Sequence, residues 1–121
     1  MPRYMLILGG ADLDKRSGSP DFRSKMLERY GSWVRGLAER GQFVESHKLF
    51  DHVGRRLTIR GGEVIDGPFI ETKDAVGGIF VIEAGSLDDA TETARSCPAL
   101  GLQNGWIEVR VLEMSRSPWD T

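Results

Sequence analysis

The chain is expected to fold as an α+β protein of the ferredoxin-like kind: strand, helix, strand, an inserted hairpin, then strand, helix, strand, with both helices on one face of an antiparallel sheet. Three observations predict it. Residues 4–8 and 79–82 are uninterrupted apolar runs, as in strands covered on both faces. Two other segments repeat apolar side chains at spacings of three and four, the mark of one buried helical face. Between them, Gly61-Gly62 joins two β-rich runs as a two-residue hairpin turn would.

Tyr4-Met5-Leu6-Ile7-Leu8, stopped by Gly9 and Gly10, is read as a central strand. Residues 9–20 are polar and full of turn formers, so they read as a loop. Ser19-Pro20 then opens a helix, with a hydroxyl to cap a free N–H and a proline preset for the first turn. Met26, Tyr30, Trp33, Val34 and Leu37 form its buried face, and Gly41 supplies the left-handed stop. Gly31 and Gly36 each weaken the intrinsic helix preference by about 1 kcal/mol relative to alanine. Tertiary packing must therefore hold this helix.

Residues 42–50 are expected to form the second strand, 56–60 and 63–66 the hairpin, and 79–83 the next sheet strand. Ser86 caps a second helix whose first turn carries Asp88 and Asp89, where the helix dipole favours negative charge. Leu87, Ala90, Ala94 and Cys97 make its buried stripe and Pro98 ends it. Residues 106–113 give the last strand, and 114–121 a C-terminal arm. All 121 residues fit one domain, with no internal repeat or low-complexity linker.

The composition excludes several classes. A formal net charge of −2 lacks the cationic surplus of a sequence-independent nucleic-acid surface. The single cysteine, Cys97, forms no intramolecular disulfide and fits a reducing compartment. Five apolar residues at the start are too few for a signal or a membrane span, so the chain reads as cytoplasmic, with no membrane partner. Two helices cover only one face of a four-stranded sheet, yet the central strands are apolar on both. A second copy, sheet against sheet in a two-fold homodimer, is the simplest cover.

The densest polar stretch runs from Asp66 to Gly78. Gly67-Pro68 reads as a tight turn, Glu71, Lys73 and Asp74 follow closely, and Gly77-Gly78 lets backbone approach closely before the strand. Asp66-Gly67-Pro68-Phe69, Glu71-Thr72-Lys73 and the glycine pair resemble the signature of the DGPF subgroup of the YCII-related proteins. Further likenesses are Tyr4-Met5-Leu6, Cys97-Pro98 and Ile107-Glu108-Val109-Arg110, so the resemblance runs in order over residues 3–113. It implies a dimeric α/β barrel of ferredoxin-like subunits. It also implies an enzyme of acid/base type, since some members carry a His and Asp pair in a cleft and the wider family includes dehalogenation of hydroxyquinol compounds. DGPF members are often encoded beside extracytoplasmic-function sigma factors, which implies the alternative of a non-catalytic regulatory protein. The first helix here carries no histidine, and Tyr30 stands in that region.

Asp66 has two readings, a proton carrier or a carboxylate bonding its own turn. Glu71 and Lys73 lie two apart, on one face of an extended segment, where they hold a small anionic or hydroxylated ligand or form an exposed ion pair. Phe69 and Tyr30 complete the candidate ligand contacts. His47 is the histidine within a strand, a side chain suited to proton exchange near neutral pH or to a structural role. Asp51-His52 lacks a third ligand for a metal, and no phosphate-cradling glycine motif is present, so neither metal nor cofactor is expected. The function expected is small-metabolite binding beside the 66–78 loop, with proton transfer of the isomerase or lyase type as its enzymatic form.

Overall fold

The computed structural model describes residues 1–10, 20–49, 53–68, 76–102 and 104–113. In chain order these form β1 (Arg3–Gly9), α1 (Pro20–Glu39), β2 (Phe43–Lys48), β3 (Arg55–Arg60), β4 (Glu63–Pro68), β5 (Val76–Glu83), α2 (Leu87–Arg95), a 3-10 turn (Pro98–Gly101) and β6 (Trp106–Val111). The sheet order is β2-β5-β1-β6 with every neighbour antiparallel, while β3 and β4 pair only with each other. This mixed α+β arrangement is compatible with the ferredoxin-like order. Ser19 and the 114–121 segment lie outside the described residues.

Register places Tyr4, Leu6 and Leu8 of β1 beside Ile82, Phe80 and Gly78 of β5 and beside Val111, Val109 and Ile107 of β6. That face meets the helices. Tyr4, Leu6, Leu8, Phe80 and Ile82 join Leu37, Ala90, Ala94 and Cys97 in one buried cluster, with Tyr30, Trp33 and Val34 packed on it. Phe80 is its aromatic centre: Tyr30 stacks on it at 6.2 Å and Trp33 meets it edge-on at 4.9 Å.

The ends of the helices follow from local chemistry. Gly41 adopts a φ of 70°, while Gln42 N–H donates to Leu37 O at 2.8 Å and Gly41 N–H to Ala38 O at 3.0 Å, the paired bonds of a left-handed helix stop. Ser86 Oγ accepts from Asp89 N–H at 3.1 Å to start α2. Leu87, expected in the buried stripe, is 47% exposed because it is the first helical residue and faces outward. Cys97, also placed on that helix by the sequence, lies beyond it at the start of the 3-10 turn, yet is buried. The hairpin turn is Gly61-Gly62 at φ 60° and 82°, a pair of left-handed positions that side chains rarely adopt. Gly67-Pro68, expected as a turn, instead continues β4 to its end opposite Arg56 and Arg55.

Candidate functional site

Alternation along the strands sends Met5 and Ile7 of β1, Ile79 and Val81 of β5, and Glu108 and Arg110 of β6 to the face away from the helices. Across β2 the bulge between Phe43 and Glu45 resets the phase, so Glu45 and His47 oppose Val81 and Ile79 on this same open face. The result is an apolar centre flanked by one polar pair on each edge. Glu45 Oε2 lies 3.0 Å from His47 Nε2, and Arg110 Nη1 lies 3.9 Å from Glu108 Oε1.

An ionised carboxylate only accepts, so His47 Nε2–H donates to Glu45, and that bond leaves Nδ1 as the other ring nitrogen for proton exchange. An orienting carboxylate beside an exposed imidazole is chemically equipped to receive a proton at a defined atom. His47 stands at the end of β2 where Leu49 N–H donates to Gly77 O at 2.9 Å, so it borders the glycine-rich start of β5. Gly78 permits that closeness: a Cβ there would sit 3.0 Å from His47 O.

Asp66 is elsewhere. It sits in β4 opposite Leu57, its Oδ2 is 3.1 Å from Arg55 Nη1, and both side chains are solvent-exposed. It is bonded across the hairpin by a guanidinium; Pro68 has no N–H to offer it and Phe69 lies outside the described residues. Tyr30 points into the helix-facing core against Phe80, on the opposite side of the sheet from His47. Burial, with Cys97 nearby, pushes its phenol well above the usual tyrosine range. Phe69, Glu71 and Lys73 lie outside the described residues. Glu45 and Arg55, the partners of His47 and Asp66, went unnoticed in the sequence. A Glu-x-His spacing on one strand was the available signal for the first.

Two weak acids, the buried Cys97 and the partly buried Tyr30, shape the alkaline behaviour. Burial raises the Cys97 thiol from 9.0 to about 11, partly opposed by a backbone hydrogen bond at Ala99. Between those values the folded chain binds more protons than the unfolded one. The contribution to stability is therefore complete below pH 9.0 and declines as pH rises through about 11, with Tyr30 acting in the same direction. Thermal unfolding followed from pH 8 to 11 should fall less steeply in a Tyr30→Phe/Cys97→Ala variant than in wild type; equal slopes would refute the assignment.

On the helix side, Trp33 Nε1–H donates to Ser96 Oγ at 2.9 Å, and Ser96 Oγ–H donates to Thr93 O at 2.8 Å. They border a shallow, open groove of about 400 Å³ lined by Arg29, Ser32, Trp33, Ser96 and Pro98. No cluster of three metal-ligating side chains occurs among the described residues, and no described helix is long and apolar enough to cross a membrane.

The family model of the YCII-related domain matches residues 5–115. An uncharacterised protein of Rhizobium meliloti (strain 1021) is 41% identical over 51 residues, a match that covers 42% of this chain and 41% of that protein. The match thus spans about two fifths of that relative's length.

Proposed function

The chain belongs to the YCII-related family, and from that premise we propose that it is a homodimeric small-molecule protein whose ligand lies at the loop end of the open sheet face, with His47 as the proton carrier. The observation that carries this reading is the Glu45–His47 pair, 3.0 Å apart on the face of the four-stranded sheet that no described helix covers. A second copy laid on that face covers the partly exposed Met5, Ile7 and Ile79 beside Val81, already buried within one chain, and walls the imidazole into a partly dry pocket. There a carbon acid next to a carbonyl or hydroxyl group is a suitable substrate class for isomerisation or elimination without a cofactor. Glu71 and Lys73 are proposed to orient the ligand's hydroxyl or carboxylate, and Asp66 and Phe69 to border it. Tyr30 is proposed to act from behind the sheet, through Phe80, as support.

The test is a thermal-shift screen of hydroxylated carboxylates and phenols, followed by turnover assays on each hit. His47→Gln is expected to lower turnover of a hit by about 100-fold while its affinity changes little, because general-base assistance contributes on the order of 10²–10⁴. Asp66→Asn is expected to alter stability by no more than about 1 kcal/mol, since its ion pair with Arg55 is exposed. A larger loss of ligand affinity in that variant marks a functional role. If no compound raises the wild-type melting temperature, the ligand reading falls. A hit that binds without being turned over leaves a binding or regulatory protein.

A further inference from the structure

Every residue of β3 is exposed, and β3 and β4 pair only with each other. The hairpin's cross-strand pairs Leu57–Asp66 and Ile59–Val64 put three apolar side chains on one face, while Thr58, Ile65, Arg60 and Glu63 occupy the other. On that apolar face Leu57 is 65%, Ile59 77% and Val64 66% exposed. A free two-stranded hairpin is marginal in water, and a contiguous apolar face of this kind marks an interaction surface. The charges at its base, Arg55 and Asp66, neutralise each other at 3.1 Å, so the face offers no net charge to a phosphate backbone or an anionic membrane.

Area identifies the occupant. The open face of the four-stranded sheet spans about 19 Å across the strands and about 20 Å along them, a footprint of roughly 400 Å². A stable interface takes about 800 Å² from each partner. Accessible area exceeds a flat footprint, but with Val81 already buried within one chain the sheet-on-sheet contact alone stays below that figure. Six-residue strands reach about 20 Å, the width of the sheet itself, so the hairpin is long enough to lie along a neighbouring molecule.

We propose that the β3–β4 hairpin is an arm that clasps a second copy of this chain through Leu57, Ile59 and Val64. The inference rests on the homodimer reading and adds to it: the clasp carries Asp66, at its base, to the boundary between the two protomers. The candidate site is then completed by both chains, and a lone protomer leaves Asp66 half exposed beside Arg55.

Sedimentation velocity across a concentration series tests this on the full chain. Wild type should dimerise, and Ile59→Asp/Val64→Asp should raise the dimer dissociation constant at least about 100-fold, because each protomer's arm loses two buried aliphatic contacts. Its far-UV circular dichroism should remain that of wild type. Hydrogen exchange on wild type supplies a reading independent of any substitution: amides of residues 57–65 should be protected in the dimer and lose that protection on dilution. A wild type that stays monomeric at high concentration overturns both the dimer and the arm. A wild-type dimer whose arm variant dimerises equally well, or whose hairpin amides ignore dilution, overturns the arm alone.

Discussion

Replacing Phe80 with alanine is expected to destabilise the fold by about 3–5 kcal/mol. Phe80 is 8% exposed at the centre of the sheet, between Leu6 of β1 and Ser46 of β2. Its ring is the surface onto which α1 docks, parallel to Tyr30 at 10° and perpendicular to Trp33 at 87°. Each such pair contributes roughly 0.5–1.5 kcal/mol beyond its buried area. The truncation thus removes two aromatic contacts as well as leaving a void that the rigid strands cannot close. A helix weakened by Gly31 and Gly36 depends on that contact more than an alanine-rich one would. Urea unfolding should show a large fall in midpoint, whereas Leu27→Ala, at a position 75% exposed on the same helix, should stay within about 0.5 kcal/mol of wild type. Similar effects for the two would mean that α1 is not held on the sheet through Phe80.

The sheet, both helices and the hairpin were legible because each has a period that burial enforces. The stripe from Met26 to Leu37 faces the sheet, the Ser86 cap forms, and Gly61-Gly62 turns the hairpin, all as local chemistry requires. What escaped the sequence has physical causes. Gly67-Pro68 reads as a turn by propensity, but in a two-stranded hairpin both strands are edges, where proline's missing N–H removes no ladder bond that a third strand would need. Cys97 sits at helical spacing from Ala94, yet Pro98 directs the chain into a 3-10 turn, and burial there does not require the helix to continue.

The candidate site was half legible for a related reason. His47 was visible as a strand histidine and Glu45 lies two residues before it on the same face, but which sheet face the pair takes depends on the strand phase, which the bulge beside Phe43 shifts. Asp66 stood out by composition, whereas its partner Arg55 is set by the hairpin register. Tyr30 has the correct helical spacing for the core and is there, and that placement puts the whole sheet between it and His47. Polar density identified a stretch of chain. Only the pairing of strands assigns its side chains to faces.

Gly10→Ala is expected to cost about 2–5 kcal/mol, and the reason bears on the open face. At φ 71°, Gly10 is in the left-handed region, which costs an alanine roughly 1–2 kcal/mol. A Cβ there would also lie 2.4 Å from the Trp106 indole and 2.5 Å from Asn104 O, and such overpacking costs about 1–3 kcal/mol more. Gly41 separates the two contributions: its φ is 70°, but an added Cβ meets no described atom within 4 Å, so Gly41→Ala should show the backbone cost alone. The excess for Gly10 measures how firmly Trp106 is seated over it. Because Trp106 pairs with Gly9 at the end of the sheet bordered by His47 and Gly78, an indole displaced by the new methyl must move at the mouth of the proposed ligand site. Gly10→Ala should then weaken any ligand found in the screen as well as the fold, whereas Gly41→Ala should weaken the fold alone. Equal unfolding midpoints for the two variants would show that Trp106 yields without cost, and that the floor beneath it is not fixed by this glycine.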